Sequence, residues 1–322
     1  MSKIKISVAI PVYNGERTIS ETINSVLNQN FINYEINVSV NLSTDNTKAI
    51  VEKYEKDSAL IRAKYQESKL TMTENIEQCF LMSRGEYTIF LPADDILNEN
   101  GLYVLDHLAK KYPNASLLQG RYDFIGEDGI VVKRNNNFKN ILLGERILKP
   151  SESFIKYCRG PLSEACATLV KTENLRVEKL DQKFQRVNIW DLYSRIAIMG
   201  GAAITPKLIS LYRLHPLEKD VEIKTIIEKI DLLSKQKEYF KKFNLNKYYL
   251  DDIFLPTLYG FKQIVKKSGY SVEAKNYVIN YLNKLDANWS KSITWPYNKI
   301  KFVFSKIFIK KLYYQAQNLI SK

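Results

Sequence analysis

Short apolar segments with strand and helix periodicity alternate along the first part of the chain. Apolar residues occupy every second position from Ile4 to Ile10, which predicts a strand ending at Pro11, and they recur at helical spacing in 19–27. The alternation continues with predicted strands at 35–40, 61–65 and 87–91 and predicted helices around 47–54 and 76–85. Because strands that alternate with helices form βαβ units, the sequence predicts an α/β fold with a mostly parallel sheet flanked by helices.

The pattern becomes less regular in the middle of the chain and changes again after Pro216. Strands are predicted at 117–125, 165–170 and 203–213, a hairpin turn at 127–129, a polar loop at 135–137, and a helix at 190–199 stopped by Gly200 and Gly201. Beyond Pro216 only helical periodicities remain, around 218–243, 247–267 and 271–285. We therefore predict an α/β domain at 1–215 and a helical C-terminal region at 216–322.

Composition and charge limit the class of protein. The chain has 322 residues and a formal net charge of +13, and 45% of its residues are hydrophobic. It contains no uninterrupted apolar run long enough to span a bilayer. Cys79, Cys158 and Cys166 form neither a metal motif nor a disulfide framework, so a cytoplasmic location is expected. The positive charge suits an anionic partner, but no nucleic-acid-binding motif is present and we expect no nucleic acid partner.

The last part of the chain, from Trp289 onward, is basic and aromatic. It carries seven lysines and no acidic residue, with tryptophan, tyrosine and phenylalanine between the lysines. Lysines and interfacial aromatic residues together favour an anionic membrane surface, which predicts peripheral attachment at the inner face of the cell membrane. The alternative is a basic amphipathic helix packed on the protein with its lysines in water.

Two adjacent acids, Asp94 and Asp95, directly follow the predicted strand 87–91. In open α/β sheets, ligands bind beyond the carboxyl ends of the strands. Carboxylate oxygens at such a position suit a hard divalent cation that also binds phosphate. The acid pair therefore predicts a metal and a phosphate-bearing ligand. The alternative is a pair of acids that caps a helix beginning near Ile96.

Several short motifs recur in a fixed order along the chain. They are Ile10-Pro11-Val12-Tyr13-Asn14-Gly15, Asn41-Leu42-Ser43-Thr44-Asp45, Asn75, Gly85-Glu86-Tyr87, Ala93-Asp94-Asp95, Trp190-Asp191-Leu192-Tyr193-Ser194-Arg195 and Tyr212-Arg213-Leu214-His215. In this order and spacing the set resembles the family 2 glycosyltransferases of bacterial surface-polysaccharide synthesis, over about residues 4–215. Each motif alone is weak. The resemblance implies the GT-A fold, which is Rossmann-like, with a mixed, mostly parallel sheet.

The resemblance also implies roles for individual residues. Asp95 matches the family's metal-binding aspartate, and His215 matches a histidine that approaches the diphosphate or the metal. Asp94 faces the ribose or the metal, and Tyr13 contacts the nucleobase unless it is an ordinary loop tyrosine. Pro11 is grouped with these nucleotide-sugar-binding residues, although its role there is more to shape the turn than to touch the ligand. The implied cofactor is Mn²⁺ or Mg²⁺, which stabilises the leaving diphosphate as a Lewis acid.

Some positions depart from the family pattern. Asn41 replaces an aspartate that binds the base, and its amide can still accept and donate hydrogen bonds there. Glu74 replaces an arginine that helps to bind the nucleotide, for which Lys69, Arg84 and Arg213 are candidate substitutes. Pro92 replaces the first acid of the Asp-x-Asp motif.

The position of the family's general base is held by Ile189, which cannot accept a proton. Asp191 is the candidate substitute, although as the first acid of a helix it can instead pair with Arg195 at i+4. Glu164 is a less favoured substitute. The base is needed because proton transfer by a positioned carboxylate accelerates such reactions about 10²–10⁴-fold.

The predicted function is transfer of a sugar from a nucleotide-diphospho-sugar, with a UDP-sugar favoured, to a hydroxyl of a glycan or polyprenyl-linked acceptor. The family resemblance implies direct displacement with inversion. The alternative is a catalytically impaired module of the same fold that binds a sugar nucleotide or a glycan, which Ile189 and Glu74 motivate.

Overall fold

The computed structural model describes residues 4–134, 144–159, 163–215, 219–243 and 245. The chain divides into two compact units, Met1–Pro216 and Leu217–Lys322. Whether these units fold as the two predicted domains, 1–215 and 216–322, stays a prediction. The predicted polar loop at 135–137, the predicted helices at 247–267 and 271–285, and the basic tail lie outside the described residues.

The first unit alternates strands and helices, as the periodicity predicts. Its strands are β1 Ile6–Val12, β2 Tyr34–Val40, β3 Ile61–Tyr65, β4 Tyr87–Phe90, β5 Ile96–Leu97, β6 Leu117–Ile125, β7 Val131–Lys133, β8 Arg146–Leu148, β9 Thr168–Lys171 and β10 Ala202–Arg213. Its helices are α1 Ile19–Leu27, α2 Thr47–Asp57, α3 Met72–Met82, α4 Gly101–Lys111, α5 Pro150–Arg159, α6 Thr172–Val177 and α7 Asn188–Gly200.

The strands form one mixed sheet in the order β3-β2-β1-β4-β9-β6-β10-β5, with β7 on β6 and β8 on β10. The long ladders, β1 with β2 and β6 with β10, are parallel. Strand β9 runs antiparallel to both β4 and β6 and so joins the two parallel groups. The fold is therefore the predicted α/β class, with helices on a mixed, mostly parallel sheet.

The central strands are buried on both faces, as expected for a sheet covered by helices. Ile6, Val8 and Ile10 of β1 and Ile36 and Val38 of β2 are fully buried. Helix α1 covers one face with its own apolar residues, and Ile19, Ile23 and Val26 are fully buried. Removal of this apolar surface from water stabilises the fold by about 25 cal/mol per Å².

Two of the glycines with a left-handed backbone lie where predicted elements end. Gly129, in the predicted hairpin turn between β6 and β7, has φ +78°. Gly201 ends α7 with φ +78°, and a Cβ there would lie 2.2 Å from the carbonyl oxygen of Leu148. Both elements therefore end where the sequence predicts, because other residues rarely adopt this conformation.

One predicted strand is wrong in its first half. Residues 165–170 were expected to be extended, but Ala165–Ala167 form a 3₁₀ turn and β9 begins at Thr168. Two side-chain hydrogen bonds flank this turn. The Ser163 hydroxyl donates to the Gly120 carbonyl oxygen, and the Thr168 hydroxyl donates to the Glu164 carbonyl oxygen. Strand periodicity in a short apolar segment cannot report such contacts.

The second unit is described over residues 219–243 and 245. Helix α8 spans Lys219–Lys242 and matches the helical periodicity at 218–243. Over the described residues of the whole chain, no helix combines the length and the apolarity needed to cross a membrane.

Candidate active site

The carboxyl ends of β1, β2 and β4 lie at one edge of the sheet, because β1 is parallel to both neighbours. Strand β9 is antiparallel to β4 and to β6, so β6 and its parallel partner β10 also end at this edge. The residues that follow these strands include Tyr13, Asn41, Asp94, Asp95 and His215. We call this edge the carboxyl edge. It gathers most of the residues that the sequence predicts for the site.

Asp95 is buried beneath the carboxyl edge, with 1% of its surface exposed. Its Oδ1 accepts a hydrogen bond of 2.8 Å from the Arg213 backbone N–H. Its Oδ2 has no hydrogen-bond partner among the described residues, although the Cys166 thiol is near enough to lower the carboxyl pKa. Burial, and then the charge of Asp94, raise the pKa of Asp95 well above its ordinary value. A buried carboxylate oxygen without a hydrogen-bond partner is unusual in a side chain whose role is purely structural.

Asp94 is more open than Asp95 and pairs with a histidine. The Asp94 Oδ2 and His215 Nε2 atoms are 2.7 Å apart, and the two side chains are 36% and 47% exposed. The hydrogen bond that the His215 imidazole donates to the Asp94 carboxylate raises the pKa of His215. The Asp94 carboxylate and the His215 imidazole are thus paired with each other and partly exposed at the carboxyl edge.

Arg213 anchors the segment that carries the acid pair. Its Nε donates to the Asp94 carbonyl oxygen at 2.8 Å, and its Nη1 donates to the carbonyl oxygens of Gly126 and Glu127. Its Nη2 pairs with Glu21 of α1. The guanidinium is 2% exposed and holds β10, α1 and the β6–β7 turn around the acid pair. These contacts give Arg213 a structural role at the acid pair, and its predicted contact with a nucleotide stays a prediction.

Tyr13 follows β1 and is 43% exposed. The Lys69 ammonium donates to its hydroxyl at 3.1 Å, and Lys69 is itself exposed. Pro11 lies in the β1–β2 ladder opposite Ser39, beyond the last β4 partner at Ala9. The Leu91 N–H donates to the Ala9 carbonyl oxygen, and Pro11 has no N–H with which to continue the β4 ladder. An aromatic ring and a cation thus flank the same end of β1.

Asn41 follows β2 and is 5% exposed. Its Nδ2 donates to the Leu70 carbonyl oxygen at 2.9 Å, while its Oδ1 accepts from the Leu70 and Leu42 backbone N–H groups at 2.9 and 3.0 Å. A carboxylate could accept these bonds but could not donate one. Asn41 therefore fastens the segment before α3 to the end of β2, and its predicted contact with a base stays a prediction.

Glu74 takes part in the N-terminal cap of α3. The Thr71 hydroxyl accepts from the Glu74 N–H, and the Glu74 carboxylate accepts from the Thr71 N–H, which forms a capping box. Arg84, one of the candidate replacements for the family's arginine, pairs with the buried Glu35 at 2.6 Å. Of the three candidate replacements, Lys69 is the one beside Tyr13.

Asp191, the predicted general base, lies in the first turn of α7 and is fully buried. Its Oδ2 accepts from Arg195 Nε at 3.0 Å, one turn along the helix. Arg195 also pairs with Glu178 and donates to the Lys179 carbonyl oxygen. This geometry is the i+4 ion pair that the sequence offers as the alternative to a catalytic role. Ile189, at the family's base position, is half-buried.

Glu164 lies at the carboxyl edge, four residues before β9. The Tyr122 hydroxyl of β6 donates to its Oε1 at 3.1 Å. Tyr122 was missed in the sequence because nothing distinguishes one tyrosine in an apolar strand. The contact depends on β6 pairing with β9, which are distant in the chain.

The donor atoms at the carboxyl edge fit a divalent cation that shares its coordination with a phosphate. Over the described part of the chain, no group of three or more histidine, cysteine or acidic residues could enclose a metal. Magnesium-type sites commonly use one or two carboxylates and fill the remaining positions with phosphate oxygens and water. The Asp94 carboxylate, beside the His215 imidazole, is available at this edge.

The model of one protein family, Glycosyl transferase family 2, matches residues 7–169. The fold and the acid pair at the carboxyl edge agree with that match, and the chain belongs to this family. The family resemblance found in the sequence is therefore confirmed.

Curated relatives and solved structures agree with this family. Over 134 residues the chain is 31% identical to an Escherichia coli protein, the UDP-Glc:alpha-D-GlcNAc-diphosphoundecaprenol beta-1,3-glucosyltransferase WfgD. That alignment covers 41% of this chain and 51% of WfgD, so the chain spans about half of that relative.

Two solved structures share the fold. Staphylococcus aureus TarS in complex with UDP-GlcNAc superposes with a TM-score of 0.67 at 19% identity, over 86% of this chain and 79% of that one. The Pyrobaculum calidifontis mannosyltransferase PcManGT, solved with GDP-Man and Mn²⁺, superposes with a TM-score of 0.59 at 17% identity, over 89% and 83%.

Proposed function

We propose that this protein transfers a sugar from a nucleotide-diphospho-sugar to a hydroxyl of a glycan or lipid-linked glycan, with a divalent metal and with inversion at the anomeric carbon. The observation that carries the proposal is the contact of 2.7 Å between Asp94 and His215 at the carboxyl edge of a family 2 sheet. Beside it lies the end of β1, where Tyr13 and Lys69 are exposed.

The proposed roles follow the positions of the side chains. Tyr13 stacks on the nucleobase, since its ring is exposed and its hydroxyl is held by Lys69. The Lys69 ammonium attracts the negatively charged nucleotide. Asp94 and His215 hold the metal, which stabilises the negative charge on the leaving diphosphate. The role predicted for Asp95 as a metal ligand remains a second proposal, because its Oδ2 has no hydrogen-bond partner among the described residues.

The proposed chemistry is a single displacement. An acceptor hydroxyl attacks the anomeric carbon while the bond from that carbon to the diphosphate oxygen breaks, and the diphosphate keeps the electron pair. The hydroxyl proton must pass to a base. Asp191 serves poorly in this role because it is buried and bound by Arg195. This observation favours the second candidate function, a module that binds sugar nucleotides without turnover, unless another carboxylate accepts the proton.

The proposed partners follow from relatives. WfgD is named for UDP-Glc and for an acceptor on diphosphoundecaprenol, and TarS was solved with UDP-GlcNAc. These names support a UDP-sugar as donor and a glycan or polyprenyl-linked glycan as acceptor. An acceptor of that kind is membrane-bound, which fits peripheral attachment at the inner face of the cell membrane through the basic tail after Trp289. Co-sedimentation with phosphatidylglycerol vesicles, but not with phosphatidylcholine vesicles, would support this attachment.

The donor site is tested by thermal stabilisation with UDP, UDP-glucose and UDP-N-acetylglucosamine, each with and without Mn²⁺. A ligand that binds the folded state raises the melting temperature by mass action. We expect a metal-dependent rise in the natural protein that is lost in Asp94→Ala. The matched control is Asp57→Ala, which removes an exposed acid at the far end of α2. No stabilisation of the natural protein by any of these ligands would contradict the proposed function.

A further inference from the structure

Glu164 is placed at the carboxyl edge by the pairing of β9. Strand β9 runs antiparallel to β4, with Ile89 opposite Leu169, so the residues before β9 lie beyond the carboxyl end of β4. The acid pair follows that same end of β4. Residues from two distant parts of the sequence, Glu164 and the acid pair, therefore meet at one edge of the sheet.

The electrostatics agree with this position. Burial is the main cause that raises the pKa of Asp95 and of Cys166 beside it, and the charge of Glu164 adds to it. Burial likewise raises the pKa of Tyr122 on β6, Tyr157 on α5 and Tyr212 on β10, and the charge of Glu164 again adds to it. These residues belong to the elements that surround Glu164, and all of them lie within reach of its charge.

The orientation of the Glu164 carboxylate is fixed by Tyr122. The tyrosine is 2% exposed, and its hydroxyl donates to Oε1 at 3.1 Å. Glu164 itself is only half-buried. A half-buried carboxylate at the edge of the site, held by a tyrosine hydroxyl, is a candidate for the base that accepts a proton from a bound hydroxyl.

Four other acids of this unit are engaged in the fold or in the proposed metal pair. Asp94 pairs with His215, and Glu21 pairs with the buried Arg213. Asp123 is buried and lies 3.6 Å from Arg121. Asp191 is buried against Arg195. The comparison favours Glu164 over the residue that sequence spacing suggests.

We propose that Glu164 is the general base of the sugar transfer and that Tyr122 is its positioning residue. The inference rests on the proposed function. In the step, the acceptor oxygen forms a bond to the anomeric carbon and the bond from that carbon to the diphosphate breaks. The acceptor proton moves to the Glu164 carboxylate, and the electron pair of the broken bond leaves with the diphosphate.

The test is release of UDP from UDP-glucose and from UDP-N-acetylglucosamine with water as acceptor, because water must lose a proton in the same way. For Glu164→Gln we expect a rate about 10²–10⁴-fold below that of the natural protein near neutral pH. UDP affinity should not change. The deficit should narrow as the pH rises, because hydroxide needs no base. Tyr122→Phe should lower kcat less, with KM nearly unchanged.

Control variants distinguish loss of proton transfer from loss of the folded structure. Glu127→Gln removes an exposed acid from the nearby β6–β7 turn and should keep the natural rate. Glu164→Asp keeps a carboxylate and should be faster than Glu164→Gln, which a purely structural role does not predict. Full activity of Glu164→Gln would overturn this inference and leave the proposed function standing. Failure of the natural protein to bind any UDP compound would overturn both.

Discussion

The sheet has two halves that bring residues to the carboxyl edge in different ways. In the first half, β3, β2, β1 and β4 are all parallel and each is followed by a segment that reaches the edge directly. In the second half, β9, β6, β10 and β5 run in mixed directions and join segments that are far apart in the chain. The first half therefore positions residues by local connectivity, and the second positions them by long-range pairing.

The difference explains why the sequence pattern locates some of the proposed site residues and not others. Tyr13, Asn41 and Asp94 lie at the ends of their own strands, so a strand pattern is enough to locate them. Glu164 lies at the edge because of the pairing of β9, and Asp191 is buried and paired with Arg195. The first half thus supplies Tyr13, Asn41 and Asp94 by local connectivity, while His215 and the proposed base come from the second half.

The largest effect on stability is expected where the second half depends on one buried ion pair. Arg195→Met leaves the fully buried Asp191 without its cation. Removing one partner of a buried pair costs about 3–5 kcal/mol, because the remaining charge is left uncompensated. We expect the free energy of unfolding, measured with urea, to fall by an amount in this range.

The matched control for Arg195→Met is the double variant Asp191→Asn with Arg195→Met. It should recover part of the lost stability, since a neutral amide at this position is less costly to bury than a lone carboxylate. An unchanged free energy of unfolding in the single variant would contradict a structural role for the pair. It would also restore Asp191 as a candidate base.

A smaller, pH-dependent effect is expected in the first half, at Glu35 of β2. Burial raises the pKa of Glu35, but hydrogen bonds from Ser7, Arg84 and Asn37 outweigh it and leave the pKa below its ordinary value. Glu35→Gln loses the charge-assisted bond to Arg84, and such bonds contribute about 1.5–3 kcal/mol. The free energy of unfolding at neutral pH should fall accordingly.

The pH dependence gives this prediction its sign. A carboxyl whose folded pKa is lowered stabilises the protein above its unfolded pKa, and that contribution is lost as the pH falls through the folded pKa. The difference between the natural protein and Glu35→Gln should therefore be full above about pH 5 and shrink in more acidic buffer. A difference that is constant with pH would contradict the lowered pKa.

The sequence predicts the first half of the fold closely because its signals are local. Strand β3, for example, spans Ile61–Tyr65 as its periodicity predicts. The second half is predicted less well: the segment 165–170 is half 3₁₀ turn, and the short strands β5, β7 and β8 carry too few residues for a clear period. The proposed role of Glu164 depends on Tyr122, and no pattern within either segment connects the two residues.

The smallest effect concerns the interpretation of Glu74 as a departure from the family. The capping box at α3 explains this residue by local structure alone, since Thr71 and Glu74 each accept from the other's backbone N–H. Thr71→Ala should lower the free energy of unfolding by about 1 kcal/mol, the usual cost of losing an N-cap hydroxyl. Thr71→Ser keeps the hydroxyl and should be close to neutral.

Glu74→Ala should lower stability without changing UDP affinity, because the carboxylate caps the helix. A change in UDP affinity with no change in stability would instead assign Glu74 to the nucleotide, and the first half would then depart from the family in its binding as well as in its sequence.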